Sequence, residues 1–245
     1  MKPEIVVLPD SDTLAHEAAR SLAVLAVEAV DSRGRFSVAL SGGSTPRALY
    51  RLLAEEPYRG QIPWAGVHLF WGDERCVPPD DPGSSFRAAD EAFISRVPLP
   101  PDNVHRVRGE LAPEVAARAY ANELDDFFCG PHARFDLVLL GLGEDGHTAS
   151  LFPGSDALQE TTRLTAAVEA HYQDRPTGRV TLTLPAINTA RHVLFLVSGS
   201  DKARIAQVVL EGDQGLYPAQ QVRPTAGGLT WMLDAAAAGR LQGEG

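Results

Sequence analysis

Cysteine is nearly missing from this chain of 245 residues: only Cys76 and Cys129 occur. Their spacing is not that of a metal site, so a disulfide framework and a cysteine-based zinc centre are excluded, and a reducing, cytoplasmic setting is expected. Long apolar runs are also missing. No stretch approaches the roughly 18 uninterrupted apolar residues of a membrane span, and the most apolar helical pattern, "SLAVLAVEAV", is broken by Glu28. The opening "MKPEIVVLPD" has an apolar run too short for a signal-peptide core. Positive charge is scarce: 22 Lys and Arg face 32 Asp and Glu, for a net charge of -10. A general nucleic-acid surface needs clustered cations and is not expected, although one small positive pocket is compatible with this balance. There is no G-x-S-x-G nucleophile elbow. Among His16, His68, His105, His132, His171 and His192 there is no HxxxH or HxH pair.

What is present is an ordinary globular composition, 44% hydrophobic and 22% charged. Short apolar runs at residues 4–8, 36–40, 67–71, 135–140, 179–184, 192–197 and 229–233 read as strands. Helical periodicity at 11–30, 46–54, 84–94, 113–128 and 201–210 alternates with them. This pattern predicts an α/β fold with a mostly parallel sheet and helices on both faces. There is no repeat, low-complexity tract or Gly/Ser linker, so residues 1–245 are expected to form one domain. In such sheets ligands sit beyond the carboxyl ends of the strands. The loops after Leu40, Trp71, Leu140 and Val197 are therefore expected to share one crevice.

The first loop is "LSGGSTPRALY". Its glycines allow a tight curl, Thr45 is suited to capping a helix and Pro46 to its first turn. Ser41, Gly42, Gly43, Ser44 and Thr45 then present N–H groups and a helix dipole to an anion; an ordinary strand–helix turn is the alternative. In the second loop, "WGDERCVPPDDPGSSFRAAD", Asp73, Glu74 and Arg75 follow an apolar strand. They read either as solvated charges or, for Arg75, as a bidentate phosphate ligand. In "VSGSDKARIAQVVL", Lys202 falls in the first turn of a helix beginning at Ser200 or Asp201. A cation there opposes the macrodipole by about 0.3–1 kcal/mol unless an anion or outward snorkelling relieves it. Arg179 opens "RVTLTLP" and adds a further cation, or a strand-end salt bridge.

The remaining loop is "GLGEDGHTASLFPG". His147 with only Glu144 and Asp145 nearby is a poor transition-metal signature, and Thr148 or Ser150 would cap a helix better. A general base and a bland loop residue remain, and the cationic company favours the base. Neutral imidazole is suited to deprotonating water near neutral pH, and Asp145 is placed to orient the ring and set its tautomer. Cys76 has no assigned histidine partner and is not a convincing nucleophile.

Taken in order, "LSGGSTPRALY", "WGDERCVPPDDPGSSFRAADEAF", "GLGEDGHTASLFPG", "RVTLTLPAINTARHVLFLVSGSDKA" and "GGLTWMLDAAAA" resemble the 6-phosphogluconolactonase family across almost the whole chain. The wider superfamily includes glucosamine-6-phosphate deaminase. The resemblance implies a Rossmann-like α/β fold and hydrolysis of 6-phospho-D-glucono-1,5-lactone in the oxidative pentose phosphate pathway. No metal or organic cofactor is implied. It also implies a phosphosugar lactone as the small-molecule partner; the charge balance and the lack of a long apolar run point to no nucleic-acid or membrane partner, and a monomer or small homo-oligomer is expected. On this resemblance His147 is the general base, and Arg75, Arg179 and Lys202 bind phosphate or nearby substrate oxygens. The "SGGSTP" backbone with Ser44 and Thr45 completes the anion site. The position of Asp73 transfers a proton in the deaminases, so Asp73 joins His147 and Asp145 among the catalytic candidates.

Where the family usually has Ser-Asn, this chain has Ser84-Ser85. The runner-up activity is deaminase/isomerase chemistry. "HTASLFPG" and "DER" resemble the lactonases, whereas the deaminases resemble "HIAFNEP" and "DEY". A non-catalytic sugar-phosphate sensor would need a DNA-binding module, and no basic helix-turn-helix segment remains.

Overall fold

The computed structural model describes residues 3–130, 133–170, 176–213 and 215–242. His132 and His171 lie outside the described residues. In chain order the elements are β1 (Glu4–Leu8), α1 (Ser11–Arg33), β2 (Phe36–Leu40), α2 (Ser44–Leu53), α3 (Tyr58–Gln61), β3 (Val67–Trp71), β4 (Asp73–Arg75), α4 (Ser85–Ala92), α5 (Pro113–Phe128), β5 (Leu137–Leu140), β6 (Thr165–Glu169), β7 (Gly178–Leu182), α6 (Leu184–Asn188), β8 (His192–Val197), α7 (Ala203–Glu211) and β9 (Gly228–Asp234). Six strands form one parallel sheet in the order β1-β9-β8-β5-β2-β3.

The helix α1 shows how sequence becomes structure here. Asp10 caps it by accepting the Thr13 N–H at 2.7 Å, and Gly34 ends it at φ +76°, donating to Val30 O at 2.8 Å. Between them Leu14, Ala15, Ala18, Ala19, Leu22, Ala23, Ala26 and Ala29 recur every three or four residues and are all buried. Their small side chains let the helix lie close on the sheet. The central strands β2 and β5 are buried along their whole length, as strands covered on both faces must be. At their lower edge Asp136 joins them, accepting from the Ser37 N–H at 2.8 Å and pairing with Arg33 at 2.8 Å.

From β2 the chain moves outward to β3, whereas from β5 it moves the other way to β8 and β9. The strand order therefore reverses between β2 and β5, and the crevice beyond their carboxyl ends is where ligands bind in such sheets.

The structure corrects the sequence reading in five places. Residues 179–184 do not join the parallel sheet. They contribute β7 to a separate antiparallel sheet, β4-β7-β6, and then enter α6. Asp73–Arg75 is a strand of that sheet rather than a loop, and β6 was not expected at all. Thr45 does not cap α2; Gly43 occupies the N-cap, and no side chain bonds to it. Lys202 belongs to a 3-10 turn, Ser200–Lys202, that precedes α7.

Gly72 joins the two sheets. Its N–H donates to Leu40 O, and its carbonyl accepts from Leu182 N, each at 2.8 Å. The chain thus leaves the parallel sheet at Gly72 and carries Asp73 and Arg75 across the crevice.

A histidine pair at the flank of the sheet predicts an acid response. His68 Nδ1 lies 3.1 Å from His105 Nε2, and His105 Nδ1 lies 2.7 Å from Glu123. Burial first, then His105 and the charge of Arg35, pushes the His68 imidazole from its ordinary 6.5 down to about 4. Between those values the unfolded chain takes up a proton that the folded chain refuses. Stability from this site is complete above pH 6.5 and is lost as the pH falls toward about 4. Denaturant titrations at about pH 7.5 and pH 4.5 should show a smaller gap for His68→Phe than for the parent protein.

Candidate active site

The crevice at the switch point is a cleft of about 210 Å³. It is lined by Ser41–Pro46 from the loop after β2, by Asp73, Arg75 and Arg179 from the antiparallel sheet, and by Gly141–Gly143 and His147–Ala149 after β5. Ser198 and Lys202, after β8, complete it. The structure thus brings together every sequence-predicted site residue except Asp145, which lies behind His147 and bonds to it.

The wall that follows β2 is built on backbone. Gly43 has φ +112°, which strongly favours glycine, and leads into the N-terminus of α2, where the first N–H groups lack intrahelical partners. The wall is anchored by the Tyr50 hydroxyl, which donates to Ser41 O at 2.8 Å and accepts from Ser41 N at 3.0 Å. Tyr120 holds the end of β3 in the same way through Trp71 N and O. Tyr50→Phe leaves both buried Ser41 backbone groups without this partner. It should lower unfolding free energy by about 1–3 kcal/mol, read from denaturant melts.

Two arginines face each other across the antiparallel sheet: Arg75 on β4 is in register with Arg179 on β7. Like charges directly opposite destabilise a strand pair, and Arg179 is only 3% exposed. The arrangement therefore favours an anion in the cleft that both residues line. Arg75 Nη1 donates to Gly83 O at 2.7 Å, and its buried Nε has no hydrogen-bond partner among the described residues. Lys202 adds a third cation; its Nζ is 3.5 Å from Asp201 and 3.8 Å from Glu144. Asp234 steadies that loop by accepting from Ser198 Oγ and Gly199 N. A chain of net charge -10 has thus gathered three cations around one small cleft.

Of the two buried carboxylates after β3, Asp73 lines the cleft and Glu74 does not. Asp73 accepts from Ser150 Oγ at 2.7 Å and makes no ion pair with Arg75 among the described residues. Glu74 points the other way, into the N-terminus of α4, accepting from the N–H groups of Arg75, Ser85 and Phe86 and from Ser84 Oγ. Burial raises the Glu74 carboxyl's pKa against the pull of those bonds. Ser85 does not line the cleft. It packs behind Gly42, where a Cβ would meet Ser85 Oγ at 2.8 Å. Cys76 is also outside the cleft. Burial, then the charges of Glu74 and Glu114, pushes its thiol up to about 11, so it stays protonated and is a poor nucleophile.

His147 sits in a shaped seat. Its Nδ1 lies 2.5 Å from Asp145 Oδ1. Burial works against ionising Asp145, but the bond from His147, its charge and backbone N–H groups outweigh it, and the carboxyl lies below its usual range. An ionised carboxylate only accepts, so the shared proton belongs to Nδ1 and Nε2 is the basic nitrogen. The ring rests over Gly143 on one side, and the Phe152 ring lies 4.4 Å from it. The Arg179 guanidinium lies 5.5 Å from the centre of the same phenyl ring. The next residues are pinned by Thr148 Oγ1 to Gly141 O and by Ser150 N to Thr181 Oγ1, with Ala149 held at φ +49° in the cleft wall. A non-glycine residue in that region is held against strain by its surroundings.

Over residues 9–231 the sequence matches the family described as glucosamine-6-phosphate isomerases/6-phosphogluconolactonase. The chain belongs to this family. It is 42% identical to the 6-phosphogluconolactonase of a Nostoc species over 250 residues, covering 98% of this chain and 99% of that one. The solved 6-phosphogluconolactonase of Trypanosoma brucei superposes with a TM-score of 0.87 at 30% identity, covering 98% of this chain and 99% of that one. A monomeric glucosamine-6-phosphate deaminase shares the fold, with a TM-score of 0.82 at 22% identity over 97% of this chain and 99% of that one. Family membership thus accounts for the frame, with the lactonases as the similar members in sequence.

Sequence reasoning missed Phe152, Thr148 and the Ser150–Asp73 contact. "TASLFPG" marks the family, but nothing in its spacing says that its phenyl ring packs on the histidine.

Proposed function

We infer that the protein hydrolyses 6-phospho-D-glucono-1,5-lactone to 6-phospho-D-gluconate, the lactone step of the oxidative pentose phosphate pathway. The observation that carries this reading is the tautomer-setting Asp145–His147 pair in one cleft with Arg75, Arg179 and Lys202, in a chain of this family. The substrate phosphate binds the three cations and the N-terminal turn of α2, with Ser41, Gly42, Gly43, Ser44 and Thr45 supplying backbone and hydroxyl contacts.

His147 Nε2 takes a proton from water as the oxygen attacks C1, and Asp145 stabilises the imidazolium that forms. Collapse of the tetrahedral intermediate expels the ring oxygen, which takes the proton back from His147. A lactone is already activated, so a held water and base suffice without an acyl-enzyme. Asp73, fixed by Ser150, is the second carboxylate facing the substrate and serves to orient it. A cytoplasmic setting fits the two free cysteines, Cys76 and Cys129. Among the described residues no helix is long and apolar enough to cross a membrane.

The test is a direct comparison of lactone hydrolysis, corrected for the spontaneous reaction, with ammonia release from glucosamine 6-phosphate. Lactone hydrolysis is expected to dominate; ammonia as the main product would overturn the assignment.

A further inference from the structure

Gly146 has φ +79°, and a Cβ placed there would lie 2.3 Å from Cδ1 of Tyr217 and 2.8 Å from its Cγ. The tyrosine ring therefore rests directly on the backbone one residue before His147. The Ala219 N–H donates to the Gly146 carbonyl at 3.1 Å and ties the same point a second time.

Tyr217 is itself oriented by Gln220, which is 5% exposed. The Gln220 Oε1 accepts from the N–H groups of Leu216 and Tyr217 at 3.0 and 3.1 Å. Its amide nitrogen donates to Val209 O at 3.3 Å and Asp213 O at 2.9 Å. One side-chain amide thus links the end of α7 to the residues that press on the histidine turn.

We propose that Tyr217 is a positioning residue for the hydrolysis: its ring, oriented by Gln220, holds Gly146 and so sets where the His147 imidazole stands relative to the phosphate site. This rests on His147 being the base. The turn closes on itself, the Gly143 N–H donating to His147 O and the Gly146 N–H to Gly143 O, each at 2.9 Å, so it moves as a unit and its placement depends on contacts from outside it. Asp145 sets the tautomer but lies on the same turn and moves with it. Ser150 anchors the loop after the histidine, through Asp73; Tyr217 and Ala219 anchor it before. Misplacing a reacting group by about 1 Å costs on the order of a hundredfold in rate.

The test is steady-state kinetics of Tyr217 variants with the lactone, alongside binding of 6-phosphogluconate. Tyr217→Ala is expected to lower kcat by roughly ten- to a hundredfold, with KM and product affinity within about threefold of the parent. Tyr217→Phe keeps the ring and is expected to restore kcat. In a His147→Ala background, Tyr217→Ala should have no further effect, because no base remains to be placed. Should Tyr217→Ala fold poorly, Tyr217→Leu keeps apolar bulk while withdrawing the ring and gives the same reading.

An unchanged kcat in the folded variant overturns the proposal. So does a loss that Phe does not restore, a loss confined to KM, or an equal loss in the His147→Ala background. Full turnover by His147→Ala alone would instead overturn the base assignment, and with it any route from Tyr217 through that histidine.

Discussion

His147→Ala is expected to lower kcat for lactone hydrolysis by roughly 10²–10⁴, while affinity for 6-phosphogluconate stays near that of the parent. The split follows from the layout. On the proposed reading Arg75, Arg179, Lys202 and the start of α2, which line the cleft, hold the phosphate, and truncating the imidazole removes none of them. The pair formed with Asp145 leaves Nε2 as the basic nitrogen. Only the unprotonated ring accepts a proton from water, so activity should rise with pH along the acid limb and fall as acid is added. A flat acid limb, after subtraction of spontaneous hydrolysis, would argue against an imidazole base. Turnover retained in the variant would remove His147 from the chemistry altogether.

Gly143→Ala is expected to be nearly as damaging, by about a hundredfold in kcat, although it adds a single methyl group. A Cβ at Gly143 would lie 2.0 Å from His147 Nδ1, 2.2 Å from Cε1 and 2.7 Å from Asp145 Oδ1. No side chain fits there while the pair keeps its place, so the ring and its carboxylate must both shift. Gly143 is not among the glycines with positive φ, and the effect is therefore one of contact rather than backbone strain. Gly154→Ala is the matched control. Its added Cβ meets nothing within 4 Å, but its φ is +75°, so it should cost about 1–2 kcal/mol of stability and leave kcat near the parent value. Equal kcat in the two variants would show that His147 tolerates displacement.

The parallel sheet was legible because its strands are apolar along their length and its helices carry a clear three-to-four-residue repeat. The second sheet was not. Asp73–Arg75 is three charged residues, with no hydrophobic pattern to mark a strand, and it is extended only because β7 pairs with it. "TAAVE" at β6 is a short run whose alternation is weak, and it too is a strand through its partner. At the other extreme Thr45 carries a strong capping signal, yet Gly43 takes the N-cap because the loop needs its backbone angles there.

The candidate site divides along the same line. The loops after β2, β5 and β8 could be assigned to one crevice from the chain alone, since strand polarity puts their ends at the same edge of the sheet. The Asp145–His147 pairing was likewise readable, because two residues of one tight turn are neighbours whatever the rest does. The family motifs pointed to a lactone. Tertiary structure alone put Arg75 opposite Arg179, Ser150 on Asp73, Phe152 on His147 and Tyr217 on Gly146. Spacing in a sequence reports only on residues that share an element or a turn. A contact between distant segments leaves no local pattern, and it is these contacts that determine where the imidazole stands relative to the three cations.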